Sequence, residues 1–523
     1  MRTTSSGIIL TDNNPLFPHL PRSGPTLDSE HSALCMHPPQ PSVIFTIPLE
    51  LVHRILTLGH PDDVAAFSRT CRSAHELVQD EYLWRQIWHA YPFDDPELLR
   101  AHRQAVCLAT SLEISPLRDG WKAEFTRRIR AEHVALKKRE HYSSLSPKEK
   151  KTALQVFVSV LEGALPASVG GGMEGKFRDA SISQNIQWVQ RVLFHSRLIA
   201  PVLQSLEDEK EISELQAHIR SCMDEYEWGG KTRRAISDRR NRSRAFVYDL
   251  RNYSYKNDYG PYHPDGRVSW VHIENIVNVV LSNLQDLPVH IVSPARPPSG
   301  LESLRPYSAP GKYSPRDWAG VEGLLSLFLM DVVSSQQLGT WRRYVCFMDY
   351  RDLFAFNYSD IADGPLHPKF FEDPRFREAT RLIEVKLHII PRSEIRFFPP
   401  SEIQLSASQK HPLTFFHGTS KGVNGNESTV EGYVRMARDG TVRWRLVSLE
   451  FTFLSSTADK QKLSIYDNSP QWSSNGVQIG DVGSARGGVG VWTTKTHEQG
   501  DPVGPFWFWK VEDDCSENLV EYT

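Results

Sequence analysis

The chain has 523 residues, with 60 Lys and Arg against 63 Asp and Glu, for a formal charge of −3. That length is too great for one core and suggests about three units, and 40% hydrophobic with 24% charged residues is ordinary for a globular protein. The near-balance of charge gives no overall pull toward nucleic acid or an anionic membrane.

Six cysteines (Cys35, Cys71, Cys107, Cys222, Cys346 and Cys515) are scattered singly, with no C-x-x-C pair. This argues against a zinc ribbon, a redox motif or a disulfide scaffold, and for a reducing compartment. The start of the chain offers only Ile8-Ile9-Leu10, short of the roughly 7–15 apolar residues of a secretory signal. The apolar run Leu324–Met330 is broken by Asp331, well below the ~20 residues of a membrane span. The expectation is an intracellular protein of the cytoplasm or nucleus, with no membrane and no nucleic-acid partner.

Residues 1–43 are rich in Pro, Ser, Thr and His. Such a segment buries too little surface to offset its ordering entropy, so a disordered tail is expected. From Ile47 the pattern turns helical. Ile47, Leu51, Ile55 and Leu58 recur at spacings of four, four and three, and Val52 and Leu56 widen the stripe. Pro48 suits a first helical turn, and Gly59-His60-Pro61 ends the helix, with Asp62 or Asp63 as the next cap. Val64, Phe67 and Cys71 mark a second helix, and Leu77, Val78, Leu83, Trp84, Ile87 and Trp88 a third. A three-helix bundle over 44–95 is expected, with a core marginal on its own.

Residues 96–290 read as mainly helical. Leu154, Phe157, Val158 and Leu161 form one stripe, Ile186, Val189 and Leu193 another, and Ile273, Ile276, Val277, Val280, Leu281 and Leu284 a third. The Tyr-, Asn- and Gly-containing stretch 253–266 reads as a structured loop. Residues 291–316 are dense in Pro and Ser and read as a linker.

From 317 to 515 the texture is that of short strands: Trp341–Met348, Leu353–Tyr358, Arg381–Ile390, Leu413–His417, Thr429–Arg438, Val442–Phe453 and Gly488–Thr494. Asp439-Gly440 is a two-residue hairpin signal. The strands predict an antiparallel barrel or sandwich. In the aromatic tract Val503–Lys510, alternation puts Phe506 and Phe508 on one face and Trp507 and Trp509 on the other. One face is then core, and the other is a candidate binding surface.

Residues 46–92 resemble the F-box. The residues that carry the resemblance are Ile47-Pro48, Glu50, Leu51 to Ile55, Pro61-Asp62-Asp63-Val64, Cys71-Arg72 and Leu83-Trp84, in the family's order and spacing. The resemblance implies docking onto a Skp-type adaptor, and through it onto a cullin and a RING subunit, with Pro48, Leu51, Val52, Ile55, Leu56 and Val64 as contacts. Residues 318–511 resemble the C-terminal β-barrel of certain F-box receptors, through Asp317-Trp318, Arg343-Tyr344, Gly476–Gly480, Val489–Trp492 and Asp501–Trp509. That barrel is the substrate-reading half in the relatives, which makes Trp492, Phe506, Trp507 and Trp509 candidate contacts to a protein substrate. Relatives often carry a Gly-Thr-Tyr-Gly-like strand where this chain reads Arg342-Arg343-Tyr344-Val345.

The fold class expected is therefore α+β and multidomain: an N-terminal three-helix F-box, a helical middle and a C-terminal antiparallel β-barrel. The function expected is that of a non-catalytic substrate-recognition subunit of a Skp–cullin–F-box ubiquitin ligase. The alternative is a ligand-binding barrel that uses the F-box only for scaffolding or turnover.

Other motifs have plainer readings. Gly170–Gly175 satisfies G-x-G-x-x-G but follows a helical stripe, so it reads as a loop. Gly483–Gly490 lacks the Lys-Ser/Thr ending of a P-loop and reads as a turn or bulge before a strand. The basic cluster of Lys231, Arg233, Arg234, Arg239, Arg240, Arg242 and Arg244 reads as a solvated surface loop. No G-x-S-x-G, H-E-x-x-H or paired-Cys constellation organises the catalytic residue types, so no enzyme activity, metal or cofactor is expected.

Overall fold

The structure is a computed structural model that describes residues 43–100, 120–137, 144–167, 182–194, 196–200, 209–223, 232–286, 296–311, 313–323, 338–358, 366–399, 411–423, 427–450, 471–513 and 521–522. The expected tail 1–43 (but for Val43), the Gly170–Gly175 loop and the apolar run Leu324–Met330 lie outside the described residues. Two compact units divide the chain. One comprises Met1–Asp95 with Ile114–Arg130, the other Pro96–Glu113 with Ala131–Thr523.

In the first unit, α1 (Leu49–Leu58), α2 (Pro61–Ser68), α3 (Arg72–Leu77) and α4 (Glu81–Ala90) are joined by the start of α5 (Trp121–Ala135). Polar side chains start three of these helices. His60 caps α2, its Nδ1 accepting from the Asp62 N–H at 3.3 Å, while the Asp63 carboxylate accepts from the His60 N–H at 3.0 Å. Asp63 thus takes the reciprocal half of the cap rather than the cap itself. Asp80 caps α4 at 2.9 Å. Cys71 does not lie on the apolar face of α2. It is exposed and extended, and its Sγ accepts from the Ala74 N–H at 3.4 Å, so α3 is a separate helix where three were expected in all.

The core of this unit is aromatic. Trp84 donates its indole N–H to the Val78 carbonyl at 2.7 Å, and Trp88 to that of Asp94 at 3.1 Å. Phe125 of α5 packs on Trp84, and the Arg128 guanidinium, held by Glu124, lies 4.5 Å from the Trp88 ring. A bundle this small buries few side chains, so each large aromatic carries a sizeable share of its stability.

The second unit contains α6 (Pro147–Glu162), α7 (Gln184–Leu193), α8 (Lys210–Cys222), α9 (Arg233–Val247) and α10 (Trp270–Asp286), followed by the sheet. All three predicted stripes are buried, except that Val158 is half-exposed. The basic cluster, described from Arg233 onward, forms α9 rather than a surface loop. Arg244 is buried against Glu378 at 2.7 Å and the partly exposed Arg240 pairs with Asp286, whereas Arg233, Arg234 and Arg242 remain exposed, as a solvated face requires.

The strands are β1 (Gly339–Met348), β2 (Glu378–Ile390), β3 (Thr414–Lys421), β4 (Glu427–Met436), β5 (Val442–Glu450), β6 (Trp472–Gln478), β7 (Gly488–Thr494) and β8 (Val503–Lys510). Each pairs antiparallel with its neighbours, and β1 pairs with both β2 and β8, closing an eight-stranded barrel. A two-residue β9 (Glu521–Tyr522) extends the pairing of β2. Inward residues fill the barrel: Trp341, Val385, Leu387, Phe416, Val430, Val434, Trp444, Leu446, Phe506 and Phe508 form one core cluster. The Asp439-Gly440 hairpin joins β4 to β5 as expected.

Two expectations fail in the barrel region. The predicted strand Leu353–Tyr358 is a helix, α11 (Tyr350–Tyr358), because Leu353 and Phe356 are three apart and both bury beside Phe371. Residues 296–311 are no free spacer either. Arg305 donates to the Leu165 and Pro166 carbonyls at 2.7 and 2.9 Å, and the Tyr307 N–H to the Val482 carbonyl at 2.9 Å. The segment holds a short 3-10 helix (Leu301–Leu304) whose leucines are buried, and the helical middle and the barrel share one compact unit.

Candidate functional site: an exposed helix face and a barrel mouth

Helix α1 is apolar on two sides. Val52, His53 and Leu56 turn inward and are at most 7% exposed, whereas Leu51 and Ile55 are each 54% and Leu58 is 72% exposed. At a rotation of about 100° per residue, Leu51, Ile55 and Leu58 form one outer strip with solvent over it. Pro48, also exposed, sets the start of the strip, and Val64 on α2 is buried beneath. Of the six expected contacts, then, Pro48, Leu51 and Ile55 are accessible, and Val52, Leu56 and Val64 belong to the bundle core. Periodicity alone does not separate these two faces, because both are aliphatic.

Residues 44–90 match the F-box-like family model. No curated protein and no solved structure matches the chain. An F-box-like domain points to binding of a Skp-type adaptor, and proteins that carry one are typically non-catalytic. Among the described residues no helix is long and apolar enough to cross a membrane, and no group of three or more His, Cys, Asp and Glu is arranged to hold a metal ion.

The barrel has a cavity of 330 Å³ at one mouth. Its walls are Val345, Phe347, Ile383, Val430, Leu446, Trp472 and Trp492, and two guanidinium groups, Arg343 and Arg381, enter it. Trp492 stands edge-on to Trp472 at 5.3 Å and donates its indole N–H to the Cys346 carbonyl at 3.1 Å. Arg343 lies 4.2 Å over the Phe506 ring and donates to Ser474 Oγ at 2.8 Å. Its Nε is shut off from solvent with no hydrogen-bond partner, and burial pulls its pKa down to about 10. An apolar recess with an under-bonded cation at its base suits a ligand that offers a carboxylate or carbonyl oxygen.

Of the four expected substrate contacts, Trp492 lines this mouth, whereas Phe506 is buried in the barrel core beneath the Arg343 guanidinium. Trp507 and Trp509 lie elsewhere, buried on the outer face of β8. Trp507 donates to the Arg486 carbonyl at 2.7 Å, and Trp509 stacks on Tyr344 at 5.5 Å. Sequence reasoning missed Arg343, Arg381 and Trp472. The signal for Arg343 was present: it shares the strand face of Trp341 and Val345, whose side chains face inward.

Proposed function

We propose that this protein is a substrate receptor of a Skp–cullin–F-box ubiquitin ligase. The F-box-like domain binds the adaptor through Pro48, Leu51 and Ile55, joined by Leu58, while Val52, Leu56 and Val64 hold the helix from beneath. The barrel mouth, with Arg343, Arg381, Trp472 and Trp492, takes a segment of the target protein. The chain performs no bond chemistry. It brings the target near a charged E2, and the acceleration comes from proximity and orientation.

The observation that carries this reading is the exposed Leu51, Ile55 and Leu58 strip within residues that match the F-box-like model. Burying one such side chain is worth about 1.5–3 kcal/mol, so a few of them dominate an interface. The test is co-purification of the full chain with a Skp-type adaptor, wild type against Leu51→Asp with Ile55→Asp. Both positions are exposed, so the double variant should keep its circular dichroism and melting temperature and lose the adaptor. Undiminished binding by that variant would sink the adaptor assignment.

The mouth is tested separately, by selecting displayed peptides on the full chain. Enriched peptides should bind at least tenfold more weakly to Arg343→Gln. Equal binding would remove the mouth from the substrate site. A small metabolite that stabilises the protein where peptides do not would favour the ligand-binding alternative, for which the 330 Å³ recess is large enough.

A further inference from the structure

Two imidazoles stand side by side on the outside of the barrel, away from the mouth. His388 of β2 lies directly across from His417 of β3 in the strand ladder. Their neighbours Leu387 and Phe416 belong to the barrel core, so alternation turns both histidines outward. The ring centroids are 5.5 Å apart, with the planes at 67°. Both residues are half-buried.

Neither ring is satisfied by its surroundings. No hydrogen bond or ion pair joins either imidazole to a described residue, and His388 Nδ1 is shut off from solvent as well. An imidazole nitrogen that gives up water without gaining a partner is unfavourable. Protonation does not relieve it, because burial, and then the charge that His417 would carry, lower the pKa of His388. The nearby carboxylates are committed elsewhere. Glu431, opposite His417 on β4, accepts from the Arg396 and Phe397 backbone N–H groups at 2.9 and 2.7 Å. Glu322 accepts from the Ile389 N–H at 2.9 Å, and it and Glu394 act on His388 only through their charge.

We propose that His388 and His417 together hold a divalent transition-metal ion of the zinc type. Such ions take neutral imidazole nitrogen at about 2.0–2.1 Å, and directly opposed strand residues, with Cβ atoms about 4.5–5.5 Å apart, can both reach one ion. The ion gives each ring a partner without adding a proton to either. The negative field of Glu322 and Glu394 favours a cation at this place. Water completes the coordination, so two protein ligands suffice. Once bound, the ion clips β2 to β3 and stabilises the barrel, since it binds the folded chain only. No sequence spacing announces such a site, because strand register alone brings the pair together.

The test titrates Zn²⁺ alone into the full chain, read by calorimetry and thermal shift. Saturable binding that raises the melting temperature is the expected result, weakened at least tenfold in His388→Gln and in His417→Gln. His133→Gln, at an exposed histidine on α5, should bind as wild type does. Mg²⁺, which prefers oxygen ligands, should leave the melting temperature unchanged. Neither imidazole has a hydrogen bond to lose, so in EDTA both variants should melt with the wild type, which separates lost binding from misfolding. Absence of saturable zinc binding, or zinc binding that survives in both variants, overturns the proposal.

Discussion

Arg244 carries its charge into the interior, and its partners decide whether the fold tolerates it. Its guanidinium meets Glu378 at 2.7 Å and Asn283 at 3.1 Å, and the Tyr248 hydroxyl donates to the same carboxylate. The two ionic side chains are 7% and 1% exposed. Removing one partner of a buried pair leaves the other charge uncompensated, which costs about 3–5 kcal/mol. Arg244→Met should therefore lower stability in urea by that amount, and adding Glu378→Leu should restore much of it. His218 and His272 behave differently, because burial holds both imidazoles far below their ordinary value, at about 3, with His263 adding to the effect on His272. The unfolded chain takes up these protons near pH 6.5 and the native chain does not. Their contribution to stability is thus fully present above about 6.5 and is lost as the pH falls toward 3. The melting temperature should drop between pH 6.5 and 5, and His272→Gln should show a shallower drop. A slope unchanged in both His218→Gln and His272→Gln would show that other groups govern it.

At the scale of single elements, two glycines show how differently a strand end and a strand interior constrain the chain. Gly440, at the β4–β5 turn, has φ of +82° and open space around its absent Cβ. Gly440→Ala should cost only about 1–2 kcal/mol, the penalty of a left-handed residue. In β3 a Cβ on Gly418 would lie 1.8 Å from the Lys386 carbonyl oxygen of β2. Gly418→Ala should force those strands apart and abolish soluble expression, whereas Gly440→Ala should express normally. Local pattern located the Asp439-Gly440 turn because the turn's requirement is local. It misread Tyr350–Tyr358 as a strand because aromatic content outweighed the three-residue spacing of Leu353 and Phe356. It missed β6 because Trp472–Gln478 is mostly small and polar, and those residues become strand only when β5 and β7 offer hydrogen bonds on both sides.

At the scale of the molecule, the helical middle and the barrel form one cooperative body. Arg486 is fully buried. It donates to the Ser221 carbonyl at 3.4 Å, lies 5.1 Å over the Trp507 ring, and takes its N–H to the Ser303 carbonyl at 3.0 Å. One side chain thus ties the end of α8 to β8, and its backbone ties in the segment expected to be a linker. Arg486→Ala should raise hydrogen exchange in α8, α10, β7 and β8 together, while α1–α4 of the other unit keep their protection. Loosening confined to the barrel would contradict a shared body.

The sequence by itself determined the helical stripes, the strand-rich C-terminal half and the sharing of one strand face by Phe506 and Phe508, while the F-box-like module was legible through its resemblance to a family. The stripes and the alternation are short-range patterns, set by the 3.6 and 2.0 residue periods that any helix or strand must bury. Only the tertiary structure decided which side of α1 stays open, since Leu51 and Val52 are equally apolar and differ only in what covers them. It also decided the fates of the aromatic and basic clusters. Trp507 and Trp509 are buried on the outer face of β8, Arg244 finds a carboxylate 134 residues away, and Arg435 meets Arg443 across the β4–β5 ladder. Partners that distant in sequence are joined by strand register and by packing against the barrel, which no local period encodes.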